Sequence, residues 1–162
     1  MKRERTTRTD KSGHSFEIGT GFDGDLPSLL EMYRVFLPKP ASQGLPPEDP
    51  ETCQQWVHNL FKIGENILIW RGESVIGHAA VVPDTRGGSG EFVIFVNQSE
   101  RHLGIGTALA HFTLEKFRDL GFDAIWLTVN VSNYIAVKLY RKLGFEYCDM
   151  DSTERTMSIK LK

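Results

Sequence analysis

The chain reads as a single α/β domain of the α+β layered kind, with a central mixed but mostly antiparallel sheet of about seven strands flanked by about four helices. Three observations predict it. A length of 162 residues suits one domain and is enough to bury a real core. Strand-like and helix-like stretches follow in the order β-α-α-β-β-β-α-β-α-β-β, with no internal repeat. The middle of the chain, from Glu65 to Val96, is a run of β-prone segments broken by turn-forming intervals, which is the pattern of a meander.

Residues 1–13 are basic and lack periodicity, so they read as a flexible tail, and residues 14–162 as the domain. Ser15 to Gly19 alternates as a short strand. Asp25 precedes a helical pattern through Leu26, Leu29, Leu30, Tyr33 and Phe36 that Pro38 ends. The interval from Leu37 to Pro50 is rich in Pro and Gly and reads as a loop. Asp49 followed by Pro50 opens a second helix bearing Trp56, Val57, Leu60 and Phe61.

Two strands then flank Arg71-Gly72-Glu73-Ser74, a hairpin interval, and a third, Glu91 to Val96, follows the glycine-rich turn from Arg86 to Gly90. Ile105 starts a helix carrying Leu109, Phe112, Phe117 and Leu120, stopped by Gly121. Asp123 to Val129 is mostly apolar, as befits a buried parallel neighbour. Asn133, or Ser132 before it, caps a last helix with Ile135, Leu139, Tyr140 and Leu143 that Gly144 ends, and Phe145 to Met150 and Thr156 to Leu161 form the final strands.

Composition narrows the function classes. With 40% hydrophobic and 25% charged residues and a formal net charge of −2, the chain has no whole-molecule attraction to nucleic acid. Its longest apolar runs fall far below the roughly 20 residues of a membrane span, and no apolar segment of signal-peptide length follows the N-terminus. A cytoplasmic location is expected. Cys53 and Cys148 form no CxxC pair and read as free thiols. The histidines His14, His58, His78, His102 and His111 show no ligand spacing, so no metal is expected.

The chemistry gathers at RHLGIGTALAHF, residues 101–112, where Arg-x-x-Gly-x-Gly stands at a strand-to-helix corner. Glycines there either allow a tight turn and close packing or leave the first helical amides bare for an anion. A dinucleotide fingerprint would want a small residue where Leu109 stands, and a P-loop would want a wider glycine spacing followed by Lys and a hydroxyl residue. Both readings are disfavoured.

The stretch VNQSERHLGIGTALAHF, followed by LTVNVSNYIAVKLYRKLGF, resembles the GNAT superfamily of acetyl-CoA-dependent N-acetyltransferases, and the order of elements is similar to that family's over nearly the whole domain. The resemblance implies a GNAT-like fold and coenzyme A pyrophosphate held by backbone amides of the loop from Arg101 to Gly106, roughly His102, Leu103, Gly104, Ile105, Gly106 and Thr107. It implies a bulge in the preceding strand, with backbone groups near Phe95 and Val96 binding pantetheine and polarising the acetyl carbonyl. Departures are Gln98, where Pro is frequent in the family, and His102, where Gly is frequent. Asn133 to Phe145 is similar to the family's Asn-x-x-Ala-x-x-Leu-Tyr-x-x-x-Gly-Phe pattern. It implies that Tyr140 protonates the leaving thiolate and that Asn133 lies near the pantetheine arm.

Each of these side chains has a plainer reading: Tyr140 as a packed helix aromatic, Asn133 as a helix cap. Glu91 stands ten positions before Arg101, a placement resembling the proposed base of bacterial protein-lysine acetyltransferases in this superfamily. It also reads as an exposed strand-edge carboxylate. A water chain or His78 is the alternative base. The resemblance further implies an acceptor entering between the first two helices. There Glu48, Asp49 and Glu51 either attract a cationic amine or suit a helix N-terminus, and Phe36 and Trp56 line a pocket or belong to the core. The expected activity is transfer of acetyl from acetyl-CoA to a primary amine of a small molecule or a protein lysine. A longer acyl donor and a non-catalytic acyl-CoA-binding module of the same fold stay open. An exposed final strand is compatible with a homodimer.

Overall fold

Arg5–Thr9 (β1) and Ser15–Thr20 (β2) form an antiparallel hairpin in register from Arg5 opposite Gly19 to Thr9 opposite Ser15. This corrects the expectation of a flexible tail over residues 1–13. The turn between the strands is built by Asp10, whose Oδ1 accepts from the Ser12 N–H (2.8 Å), the Ser12 hydroxyl (2.6 Å) and the His14 N–H (3.1 Å), while Gly13 supplies a left-handed φ of 90°. The threonines of Arg5-Thr-Thr-Arg-Thr9 are β-prone, and the Arg5 guanidinium lies 3.7 Å over the Trp70 ring. The computed structural model describes residues 5–36 and 46–162; residues 1–4 of the expected tail and residues 37–45 of the expected loop lie outside them.

Leu26–Arg34 (α1) follows Asp25, whose Oδ2 accepts from the Phe22 N–H at 2.9 Å. Pro50–Ile63 (α2) starts as its sequence requires: Asp49 accepts from the Thr52 N–H at 2.9 Å, Pro50 fills the first helical position and Gly64 ends the helix. The meander is Glu65–Arg71 (β3), Ser74–Pro83 (β4) and Ser89–Val96 (β5). Ile105–Asp119 (α3), Ala124–Asn130 (β6), Tyr134–Leu143 (α4), Glu146–Tyr147 (β7) and Glu154–Lys160 (β8) complete the chain.

The eight strands make one sheet in the order β1-β2-β3-β4-β5-β6-β8-β7, antiparallel except where β5 meets β6. The eighth strand is the hairpin the sequence concealed. The exposed final strand that was expected is corrected: the two-residue β7 pairs outside β8 and takes the end of the sheet. One core lies on the side of α3 and α4 and includes Phe92, Leu109, Phe117, Leu127 and Tyr140. The other lies under α1 and α2 and includes Leu29, Tyr33, Val57 and Phe95. Each buried aliphatic or aromatic side chain contributes roughly 1.5–3 kcal/mol. Along β5 the period of two sends Phe92 to the first core and Phe95 to the second, so this central strand serves both sides of the sheet.

The strand interval that matters for function is short. β5 and β6 pair only over Ser89–Glu91 with Ala124–Trp126, whereas β5 stays paired to β4 as far as Val96 and β6 stays paired to β8 as far as Asn130. Beyond Glu91 and Trp126 the two central strands part, and the edge of β5 from Phe92 to Val96 faces a gap instead of a neighbour.

Candidate active site

The chain leaves β5 through Asn97, whose side chain accepts from the Ser99 N–H at 3.0 Å, makes a single turn of 3-10 helix over Gln98–Glu100, and enters α3 through Gly104. Gly104 has φ 83°, a conformation that a side chain would strain. His102 also lies in the left-handed region, at φ 68°. This histidine therefore adopts the backbone that the family's more frequent glycine would adopt freely. Ala108 is the first α3 residue whose N–H reaches back, to the Gly104 carbonyl at 3.1 Å. Among the described residues the amides of Ile105, Gly106 and Thr107 have no backbone acceptor, at the positive end of a 15-residue helix. Amides in that position are the groups an anion would need.

Packing does not hold position 106 to glycine. A Cβ placed on it would stand 3.7 Å from Val96 Cγ2 and 3.9 Å from Leu139 Cδ2, ordinary contact distances. Among the described residues no contact requires the side chain to be missing, although glycine weakens a helix. The same distances show that α3's first turn lies against α4 and the end of β5, so both motif regions meet at the gap. Leu103 is half-buried and its carbonyl is bound by the Lys11 N–H at 3.0 Å.

The expected bulge is absent on the paired side of β5: its register with β4 runs unbroken from Gly77 opposite Val96 to Pro83 opposite Gly90. The register shift lies one strand further, between β3 and β4 near Ile69 and Trp70. What bares the backbone at Phe95 and Val96 is the departure of β6. The Val96 carbonyl is already engaged by Arg101 Nε at 3.2 Å, and the Arg101 guanidinium lies 5.4 Å over Phe36. Arg101 thus ties the loop back to β5 and the end of α1.

Tyr140 is buried on α4, its ring 5.7 Å from that of Phe145, which is 6.2 Å from that of Phe92. This aromatic chain leads to the point where the strands part. Burial pushes the Tyr140 phenol well above its ordinary value, so it stays protonated. Its hydroxyl makes no hydrogen bond among the described residues. Asn133 accepts from the Ala136 N–H at 3.3 Å, the capping role, which leaves its amide NH₂ uncommitted among the described residues.

Glu91 stands at the closed end of the gap, opposite Trp126 in the last β5–β6 pair. It is half-buried, and burial, with the like charge of Asp84 as a smaller cause, raises its pKa. Asp84 itself is held by the Ser89 hydroxyl at 2.5 Å and Trp126 Nε1 at 3.0 Å. Glu91 has no ion pair or hydrogen-bond partner among the described residues.

His78 is removed from the candidate bases. It is fully buried, its Nδ1 lies 2.6 Å from the Tyr33 hydroxyl and its Nε2 2.7 Å from Asn66 Oδ1, and burial lowers its pKa to about 3. Asp49 acts as the α2 cap, and Thr52 lowers its pKa through its N–H and hydroxyl. Phe36 is core, and Trp56 is half-buried against Tyr33 and Phe95. Among the described residues no group of three His, Cys, Asp or Glu suits a metal ion, and no helix is long and apolar enough to cross a membrane. Sequence reasoning missed the reach of the N-terminal turn to Leu103. The D-K-S-G sequence at Asp10 to Gly13 was its only local signal.

Residues 26–145 match the Acetyltransferase (GNAT) family, and the chain belongs to it. A mycothiol acetyltransferase of Paenarthrobacter aurescens is 38% identical over 60 residues, which are 37% of this chain and 19% of that protein. An N-alpha-acetyltransferase of Sulfurisphaera tokodaii is 41% identical over 54 residues, 33% of this chain and 32% of that one. The matched segment is thus at most about a third of either relative. Among solved structures, the GNAT domain of S. lividans PAT superposes with a TM-score of 0.81 at 13% identity over 96% of both chains. The yncA protein of Salmonella typhimurium, solved with its cofactor acetyl-CoA, gives 0.73 at 15% identity, covering 91% of this chain and 94% of that one. At these identities the structures share the fold.

Proposed function

We propose that this chain transfers an acetyl group from acetyl-CoA directly to a primary amine, of a small molecule or a protein lysine, with no covalent acyl-enzyme. The observation that carries this reading is the row of uncommitted amides from Ile105 to Thr107 beside the gap between β5 and β6. These amides, with those of His102, Leu103 and Gly104, would bind the pyrophosphate, and the bared edge of β5 at Phe95 and Val96 would align pantetheine and the acetyl carbonyl. Asn133 would meet the pantetheine arm through its free NH₂, and Arg101 would hold the loop to the strand.

In the transfer the amine nitrogen bonds to the acetyl carbon and the carbon–sulfur bond breaks. Glu91, without a partner among the described residues and with its pKa raised, would take the amine's proton, directly or through water. Tyr140, held protonated by burial, would return a proton to the departing sulfur. Incubation with acetyl-CoA and a panel of small amines, peptides and proteins should release free thiol. Coenzyme A binding without release for any acceptor would favour the non-catalytic module, and release from propionyl- or succinyl-CoA in preference would reassign the donor.

A further inference from the structure

The N-terminal hairpin reaches the coenzyme loop. The Lys11 N–H donates to the Leu103 carbonyl at 3.0 Å, and the Lys11 side chain runs along Gly104, its Cε 3.3 Å and its Cγ 3.5 Å from where a Cβ on that glycine would stand. The turn that presents Lys11 is fixed from three directions. Arg71, at the end of β3, donates to Asp10 Oδ2 and to Glu100 Oε2, each at 2.8 Å, and to the Ser15 carbonyl at 3.0 Å. One guanidinium thereby joins the hairpin to the segment that enters the loop, and a surface hollow of about 430 Å³ opens between them, lined by Asp10, Arg71, Glu100 and Leu103 among others.

Both carboxylates at the loop are spent on one guanidinium. Arg71 is met by two carboxylates, of which that of Asp10 is fully shielded from solvent. Lys11 has no carboxylate partner among the described residues. A cation placed at the first turn of a helix has the wrong sign for the helix dipole, and here it lies beside amides that also lack acceptors. An anion at this position answers both.

We propose that Lys11 is a phosphate-binding residue of the acyl-CoA site, carried to the N-terminus of α3 by the hairpin. This rests on the assignment of the loop to coenzyme A under the proposed function. The phosphate is either the pyrophosphate or the ribose 3′-phosphate of the coenzyme, which share the chemistry an ammonium recognises.

Coenzyme A binding by calorimetry at low salt, and KM for acetyl-CoA, are compared for the parent, Lys11→Met and Lys11→Arg, with thermal unfolding of each. Lys11→Met should weaken binding and raise KM about five- to tenfold with kcat unchanged, and Lys11→Arg should restore most of the loss. The parent's affinity should fall more steeply with salt than the Met variant's, and the two should not differ toward S-acetylpantetheine, which has no phosphate at this position. With dephospho-CoA, a persisting difference assigns Lys11 to the pyrophosphate and a vanished one to the 3′-phosphate; both support the proposal. Equal coenzyme A affinities in parent and Met variant, or an equal loss toward S-acetylpantetheine, overturn it while the loop assignment stands. A parent that binds no coenzyme A overturns the loop assignment and this proposal together.

Discussion

The Tyr33 hydroxyl and Nδ1 of His78, 45 positions apart in sequence, lie 2.6 Å from each other in the core between α1 and the sheet. The chain of donors around them has one consistent direction. Asn66 gives its NH₂ to the Leu60 carbonyl at 3.0 Å, so its Oδ1 accepts from His78 Nε2–H, and His78 Nδ1 accepts from Tyr33. A neutral histidine satisfies every partner, and a protonated one would take away the acceptor of the Tyr33 proton. His78 therefore joins both helices of this side to the sheet.

The first prediction follows from that arrangement. A histidine with an ordinary pKa of 6.5 unfolded and about 3 folded binds more protons in the unfolded state throughout that window, so stability rises with pH across it. The stabilisation is fully present above 6.5 and lost as pH falls toward 3. The contribution is at most about 5 kcal/mol. Chemical denaturation from pH 7 to 3.5 should show a fall that is shallower in His78→Gln, while the Gln variant is less stable at pH 7 by about 1–3 kcal/mol for partners left unmatched. Parallel pH profiles in the two proteins would dismiss the buried neutral histidine.

The two glycines of the loop should separate stability from binding. At Gly104, with φ 83° and Lys11 carbons close by, alanine should cost about 1–2 kcal/mol of stability. At Gly106, where a Cβ meets only ordinary contacts, alanine should be neutral or stabilising by up to about 1 kcal/mol, yet coenzyme A binding should weaken by tenfold or more. Thermal unfolding beside calorimetry reads both. Unchanged affinity in Gly106→Ala would return that glycine to a purely structural role.

Tyr140→Phe removes an oxygen that no described residue binds, so the unfolding temperature should barely change. If the phenol delivers the proton to the departing sulfur, kcat should fall by on the order of 10²-fold with little change in acetyl-CoA affinity. An unchanged kcat would leave Tyr140 as core packing against Phe145 alone.

Much of this site is legible in the chain because it is local. Gly104 and Gly106 at the helix start, Asp49 and Asn133 at their caps, and the hairpin intervals at Arg71–Ser74 and Arg86–Gly90 are each decided within a few residues, and each appears where its side-chain chemistry dictates. What escaped depends on partners far away. The first strand looked like a solvated basic tail because Arg5, Arg8 and the threonines between them become a strand only against Ser15 to Gly19. The parting of β5 from β6 after Glu91 belongs to neither strand alone, and His78 shows its role only once Tyr33 and Asn66 are brought to it from α1 and β3.

Glu91 brings a pH signature of its own. Its pKa is raised by burial and by Asp84, so its carboxylate is favoured less in the folded than in the unfolded protein. The stability it contributes is fully present below the ordinary glutamate value of 4.5 and lost as pH rises through the folded pKa. Glu91→Gln should accordingly be no less stable than the parent at pH 7, with any gain absent at pH 4. Activity should move the other way. A carboxylate base assists only when it is ionised and only while the amine is protonated in bulk solution, so the parent's advantage in kcat/KM should peak between the Glu91 pKa and the amine pKa. Substitution should cost on the order of 10²-fold there and much less above the amine pKa, where free amine needs no base. Profiles of parent and Glu91→Gln over pH 5 to 10, with one amine acceptor, would show that maximum. Profiles that differ by a constant factor, or not at all, would move the proton-accepting role to water ordered elsewhere in the gap.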